Sequence, residues 1–195
     1  GLGEGAGGFI DLSGTFARIG AVSVDLSTDS GVAGTFVIDP FNLVVGATST
    51  TGADDDFSLS AVNSIFSLGA DVLLQADNSI TLVNGAVIDS TNGGGVAGSI
   101  TLESRLITLE DGSTINAGTG ANAGDVTLTA VGNSGQSAAI QIGQGTGTQP
   151  IVSGKTLTFS ASSTSDGIAL LASTPTANAT LSFNSATLTA EQGMF

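Results

Sequence analysis

The sequence predicts an all-β fold, a right-handed parallel β-helix with about three short strands in each coil of 24–31 residues. Three observations support this prediction. The segment AGSITL at residues 97–102 recurs as AGDVTL at 123–128, an offset of 26 (123 − 97). Within each repeat, apolar and polar residues alternate over about seven or eight residues and then reach Asn, Asp, Gly or Ser, the pattern of a strand and its turn. Hydrophobic residues make up 41% of the chain although Trp and Tyr are absent, so the chain has enough Val, Ile and Leu for a core but few good helix formers.

The repeat continues, with drift, on both sides of these two segments. Val72 matches Ile100 at an offset of 28 (100 − 72), and Val126 matches Leu157 at an offset of 31 (157 − 126). We expect Leu157 to match Leu181 in turn, at an offset of 24 (181 − 157). At about 4.8 Å between stacked strands, roughly seven such coils predict a rod about 35 Å long.

Alternation within the strands predicts which side chains face the core, because successive residues of a strand point to opposite faces. The predicted inward residues are aliphatic: Val72, Leu74, Ile80, Leu82, Ile100, Leu102, Ile107, Leu109, Ile115, Val126 and Leu128. The predicted outward neighbours are Thr81, Thr101, Glu103, Thr108 and Thr127. The right-handed winding follows from the strong preference of parallel strand crossovers for that hand.

We interpret residues 1–195 as one β-helix segment and an internal fragment of a longer chain. Residues 1–46 form the first coils, 47–70 a loop and an excursion, and 71–195 the regular coils. A strand must end at Asp39, because Pro40 has no N–H and restricts the residue before it. Near 58–68 the apolar residues fit a period of 3.6, so we expect one short helical or irregular excursion there.

Composition and charge exclude several classes of function. Only 3 Lys and Arg accompany 17 Asp and Glu, and a net charge of −14 leaves no basic surface for nucleic acid. The apolar residues are scattered, so no run is long enough to insert into a membrane. The chain has no His and no Cys, which removes the commonest metal ligands and general base. We therefore predict no catalytic residues and no cofactor.

The first half of the chain resembles the filamentous haemagglutinin family, the large exoproteins of bacterial two-partner secretion. The resemblance is carried by GGFIDLSG at 7–14, by VDLSTDSGVAGTFVIDPFNLVVG at 24–46 and by the Ser-rich segment and strand pair at 57–82. These motifs occur in the family's order and cover roughly residues 7–82, whereas the later repeats match only as generic β-helix repeats. The chain lacks the family's N-terminal secretion domain and an Arg-Gly-Asp motif.

The resemblance implies a structural, non-catalytic rod of a secreted or surface-displayed bacterial adhesin-like exoprotein, which extends and presents binding regions. It implies that the full-length protein meets host-cell or matrix receptors or other surface polymers. It also implies an outer-membrane secretion partner, recognised through a region outside this chain, and a location outside the cell or on its surface.

One weak candidate for a metal site lies in the loop before the expected excursion. Asp54, Asp55 and Asp56 form an acidic run whose oxygens could collect a hard cation such as calcium. Adjacent carboxylates do not have the alternating spacing of a calcium loop, so a solvated loop tip is the stronger interpretation. A second acidic pair, Glu110 and Asp111, precedes Gly112 and is explained by turn chemistry.

A polysaccharide lyase or hydrolase is the main alternative function, since many right-handed β-helices resemble such enzymes. They need paired carboxylates or a basic residue on one face. Arg18, Arg105 and Lys155 are the available basic residues, and Arg105 lies near Glu103, but the repeat spacing identifies no second acid.

An ice-binding β-solenoid is a further alternative, suggested by three Thr-x-Thr pairs. These are Thr127 with Thr129, Thr156 with Thr158 and Thr187 with Thr189. Each pair would share one face of a strand. The spacing between successive pairs is irregular, at 29 (156 − 127) and 31 (187 − 156). Since Thr is in any case favoured on a solvated strand, the sequence favours an ordinary outer face.

Overall fold

A computed structural model of the chain describes residues 8–14, 18–19, 34–46, 56–59, 70–91, 96–131, 139–143, 148–162, 168–170, 180–182 and 185–190. Within these residues the secondary structure consists of 18 short β-strands and contains no helix. The prediction of an all-β protein is confirmed for this part of the chain.

The strands form three sheets in which neighbouring strands are parallel. Sheet A has seven strands, in the order β1 (Phe9–Ser13), β3 (Thr35–Asp39), β6 (Asp71–Gln75), β9 (Ile100–Ser104), β12 (Val126–Val131), β15 (Thr156–Ser162) and β18 (Ser185–Ala190). Sheet B has seven, in the order β16 (Ile168–Leu170), β13 (Ile140–Ile142), β10 (Leu106–Leu109), β7 (Ser79–Leu82), β4 (Asn42–Val45), β5 (Asp56–Leu59) and β2 (Arg18–Ile19). Sheet C has four, in the order β17 (Thr180–Ser182), β14 (Ile151–Ser153), β11 (Thr114–Asn116) and β8 (Val87–Asp89).

From β6 onward, successive strands lie in sheets A, B and C in turn, and each strand from β6 to β15 pairs with the strand three places later in the chain. The pairing confirms the match of AGSITL with AGDVTL, because Ile100 lies opposite Val126 and Leu102 opposite Leu128. The matches on either side are confirmed as well, by the pairing of Val72 with Ile100 and of Val126 with Leu157.

The core is a set of ladders in which equivalent side chains of successive strands contact one another. All eleven residues predicted to face inward are buried. In sheet A one ladder consists of Phe36, Val72, Ile100, Val126 and Leu157, all at most 2% exposed. In sheet B a ladder consists of Leu43, Ile80, Ile107 and Ile140, and in sheet C of Ile88, Ile115 and Val152. The predicted outward neighbours are partly exposed.

The corner between sheets B and C shows how the chain turns between ladders. Asp111 and Gly112 form the turn after β10, as the sequence predicts, and the Ser113 N–H donates to the Glu110 carbonyl at 3.1 Å. Gly112 has a φ of 73°, a conformation that residues with a Cβ rarely adopt. The turn therefore requires glycine there.

One predicted match is wrong. Leu181 lies in β17 of sheet C, opposite Val152, and the residue opposite Leu157 is Ala186 in β18. The segments ATLSFN and SATLTA both alternate apolar and polar residues. Since this alternation says which side chains face inward but not which sheet a strand joins, the predicted offset selected the wrong segment.

The N-terminal part departs from the regular order. β3 ends at Asp39, as Pro40 predicts. After β4 the chain returns to sheet B as β5, which pairs with β4 on one side and with β2 on the other. The expectation of a helical or irregular excursion near 58–68 is wrong at Ser58 and Leu59, since both lie in β5. The backbone of β5 forms hydrogen bonds with β4 and β2, and these bonds favour a strand. Residues 60–69 lie outside the described residues.

Candidate functional site on the outer face of sheet A

Two rows of residues, aligned by the strand register, run across all seven strands of sheet A, and from β1 to β15 they lie on its outer face. The first row consists of Asp11, Val37, Leu73, Thr101, Thr127, Thr158 and Thr187. The second row lies two positions further along each strand and consists of Ser13, Asp39, Gln75, Glu103, Thr129, Ser160 and Thr189. The first row changes from Asp11, Val37 and Leu73 on β1, β3 and β6 to threonine from β9 onward. The second row carries Asp39, Gln75 and Glu103 on β3, β6 and β9 and hydroxyl residues from β12 onward.

The register aligns threonines that are irregularly spaced in the sequence. Thr127 lies opposite Thr158, and Thr158 opposite Thr187, although the two intervals differ, at 31 (158 − 127) and 29 (187 − 158). The two intervals therefore differ in the number of residues that lie between the paired strands, and the register within the strands is unchanged. We call Thr101, Thr127, Thr129, Thr158 and Ser160 the hydroxyl face, and all five are partly exposed.

The structure corrects how the predicted Thr-x-Thr pairs combine. Thr156 lies one step outside the two rows, opposite Ser185, whereas Thr158 occupies the first row. The second-row partner of Thr129 is Ser160 rather than a threonine. The three pairs therefore do not stack as units, but one member of each contributes to an unbroken row of threonines.

The opposite end of the same face is acidic. The carboxyl group of Asp39 has a pKa above its ordinary value, because burial disfavours its charged form and because the carboxylates of Asp77 and Asp11 lie nearby. Asp11 and Asp39 belong to neighbouring strands, and Asp77 follows β6. The three aspartates are far apart in the sequence, so only the pairing of β1, β3 and β6 reveals the group.

Arg105 and Glu103, the residues considered for a polysaccharide-acting enzyme, lie at the end of β9. Arg105 is exposed at the bend before β10. The Gln75 side-chain amide donates to the Glu103 carboxylate at 2.7 Å across two neighbouring strands of sheet A. An amide and a carboxylate cannot act as the paired acids of glycoside hydrolysis, so this contact serves to fix the two strands.

Polar residues at the starts of four successive strands of sheet A, β6, β9, β12 and β15, connect these strands to one another. The Asp71 carboxylate accepts from the Ser99 backbone N–H at 2.8 Å, and the Asp125 carboxylate accepts from the Thr156 N–H at 3.1 Å. Between them, the Ser99 hydroxyl accepts from the Asp125 N–H at 3.3 Å. These side chains are occupied in satisfying backbone donors, which gives them a structural role.

A second polar ladder, which the sequence did not reveal, runs along the ends of the sheet C strands. The Asn116 amide donates to the Asp89 carboxylate at 3.1 Å, and the Ser153 hydroxyl donates to the Asn116 carbonyl oxygen at 2.8 Å. The Gly118 N–H donates to the same Asn116 oxygen at 3.0 Å. The signal was present in the spacing of Asp89 and Asn116, which lie one repeat apart.

The weak metal candidates cannot be placed as a group. Asp54 and Asp55 lie outside the described residues, and Asp56 begins β5. In the described part of the chain, no three acidic side chains come together in a group that could hold a metal ion. Across those same residues, no helix is long and apolar enough to cross a membrane.

No protein-family model, curated protein or solved structure matches this chain.

Proposed function

We propose that the chain is a structural, non-catalytic rod segment of a secreted or surface-displayed bacterial adhesin-like exoprotein, wound as a right-handed parallel β-helix. The observation that carries the proposal is the strict succession of strands through sheets A, B and C from β6 to β18. A chain that visits three parallel sheets in turn advances by one strand spacing, about 4.8 Å, with each circuit.

The energetics of the ladders support a scaffold. Each circuit buries its aliphatic side chains against the circuit before and after it, so stability is distributed along the stack. Polar contacts such as that of Asp71 with Ser99 join neighbouring strands. The side chains that form them are engaged in structural hydrogen bonds and are not available for a reaction. These features suit a rod segment that holds the binding regions of the full-length protein away from the cell.

The resemblance to the filamentous haemagglutinin family supports the location and the partners. It rests on the motifs at 7–14, 24–46 and 57–82 and therefore on the N-terminal part of the chain. In this proposal the full-length protein reaches host-cell or matrix receptors, and an outer-membrane partner exports it through a region outside this chain. Export of an unfolded chain suits a fold in which each circuit uses its predecessor as a template.

Surface display is tested on intact cells that express the native protein. An antibody against residues 70–131 should detect the protein in the medium or on the cell surface, and proteinase K should remove the surface signal without degrading a cytoplasmic marker. A signal that proteinase K removes only after lysis would contradict the proposal.

The absence of catalysis is tested with the purified chain and a panel of acidic and neutral polysaccharides. The proposal predicts no new reducing ends and no unsaturated sugar products. The proposal would be contradicted if the wild-type chain released product, Arg105→Ala abolished this release, and the control Lys155→Ala left it intact. The chain would then be an enzyme.

A further inference from the structure

The hydroxyl face differs from the rest of the outer surface of sheet A in charge. The chain carries a net charge of −14, yet β12 and β15 contain no charged residue. Their outward side chains are Thr and Ser, together with the exposed Val131 at the end of β12, and Thr101 lies beside them on β9. Contact with a solid surface requires the contacting groups to lose water, and the cost is much larger for charged groups than for hydroxyls. The hydroxyl face is therefore suited to an uncharged partner.

The spacing of the hydroxyl face is set by the backbone in both directions. Strand neighbours such as Thr127 and Thr158 are separated by the strand spacing, about 4.8 Å, and alternate residues such as Thr127 and Thr129 by about 6.7 Å along the strand. Threonine side chains are β-branched and restricted at χ1, so their hydroxyl and methyl groups keep this spacing with little loss of entropy on contact. The face is thus a small rigid lattice.

A partner that matches such a lattice must itself repeat in two dimensions. Ice is uncharged, repeats in two dimensions, and presents hydroxyl donors and acceptors in alternation with open cages that accommodate methyl groups. A crystalline polysaccharide also repeats, but sugar rings are commonly bound on aromatic side chains, and the chain contains no Trp and no Tyr.

We propose that the hydroxyl face binds the surface of ice. Thr101, Thr127 and Thr158 form the first row of contacts, and Thr129 and Ser160 the second. Thr187 and Thr189 occupy the next register positions of the two rows, opposite Thr158 and Ser160. On the side of β6 the hydroxyl face ends at β9, where Glu103 takes the second-row position opposite Thr129. The inference is independent of secretion and of any cell-surface receptor.

The test measures how much purified chain enters a slowly growing ice hemisphere, relative to serum albumin in the same solution. The wild-type chain should be enriched in the ice. A double variant, Thr127→Lys with Thr158→Lys, places two large charges on the hydroxyl face and should fall to the level of albumin.

A matched control changes two threonines on another sheet. Thr81 and Thr108 lie opposite each other in sheet B, face outward and are partly exposed, as Thr127 and Thr158 are in sheet A. The variant Thr81→Lys with Thr108→Lys should enter ice as the wild type does. Circular dichroism melting checks that all proteins are folded. If the lysine pair on sheet A prevents folding, the variant Thr127→Ala with Thr158→Ala replaces it, and its enrichment in ice should also fall to the level of albumin.

Three results would overturn the proposal. In the first, the wild-type chain is excluded from ice as albumin is. In the second, the sheet A variant enters ice to the same extent as the wild type. In the third, the sheet B control loses as much of its incorporation into ice as the sheet A variant does. Binding to crystalline cellulose together with exclusion from ice would assign the face to a polysaccharide instead.

Discussion

The middle of the molecule and its N-terminal end use the same strands in different ways. In the middle, β9 pairs with β6 and β12, and its inward residues Ile100 and Leu102 are fully buried. At the N-terminal end, β1 pairs with β3, and its residues are mostly exposed, with Leu12 at 37%. The comparison teaches that a strand of this fold is buried when it has a neighbour on both sides, since β1 is at least as apolar in sequence as β9.

The largest expected difference between the two regions concerns truncation of a leucine. Leu102→Ala should lower the free energy of unfolding by about 2 to 5 kcal/mol, because Leu102 is fully buried between two strands. Leu12→Ala should cost under about 1 kcal/mol, because Leu12 is 37% exposed. Urea unfolding of both variants measures the difference, and equal costs would show that the two regions are packed alike.

Glycines flanking the sheet A strands provide the next comparison. A Cβ on Gly124 would lie 2.1 Å from the Gly98 carbonyl oxygen, so two backbone segments would have to separate. Gly124→Ala should therefore destabilise by about 1 to 3 kcal/mol or more. A Cβ on Gly14 would meet nothing within 4 Å, and Gly14→Ala should change stability by no more than about 0.5 kcal/mol. Thermal unfolding of the two variants under the same conditions measures both effects. A Gly124→Ala variant as stable as the wild type would contradict the close approach of the backbone at Gly124 to that at Gly98.

Side-chain hydrogen bonds should show the same contrast on a smaller scale. Asn116 bonds to Asp89, Ser153 and Gly118, and Asn116→Ala should cost about 1 to 2 kcal/mol because its partners lose their bonds. Ser13 bonds within its own strand, to Asp11, and is exposed. Ser13→Ala should be nearly neutral, and a Ser13→Ala variant as damaging as Asn116→Ala would remove the distinction between ladder and local bonds.

The smallest predicted effect depends on pH. The raised pKa of Asp39 means that the folded protein binds this proton more readily than the unfolded chain, so the charged carboxylate destabilises the fold above that pKa. Asp39→Asn should raise the melting temperature at neutral pH by an amount that corresponds to under about 1 kcal/mol after solvent screening. The gain should disappear as the pH falls below the ordinary pKa of aspartate, and a gain that persists there would point to packing instead of charge.

Much of the middle region could be predicted from the sequence because its repeats have nearly constant length. The match of Ile100 with Val126 required only the recurrence of AGSITL, and burial followed from alternation. The burial of Ile115 was predicted in the same way.

The rest depended on information that alternation does not contain. The insertion of β5 between β4 and β2 requires the chain to return to a sheet it has just left, and no local pattern announces this. Leu181 was assigned to sheet A for the same reason, because alternation is equal in all three sheets. The hydroxyl face was underestimated from the sequence, since the unequal intervals between its threonines hid an alignment that only the strand register fixes.

The winding of the chain through three parallel sheets is tested most directly by cross-linking, since the chain has no Cys of its own. Opposite residues of neighbouring strands are close enough for a disulfide, which needs Cα atoms about 4.4 to 6.8 Å apart. Three double variants each place one pair in one sheet: Thr101→Cys with Thr127→Cys, Thr81→Cys with Thr108→Cys, and Thr114→Cys with Ile151→Cys. The account predicts that all three form intramolecular disulfides under mild oxidation, whereas Thr101→Cys with Val131→Cys, which is well out of register, does not. Failure of the three registered pairs, or equal cross-linking of the shifted pair, would contradict it.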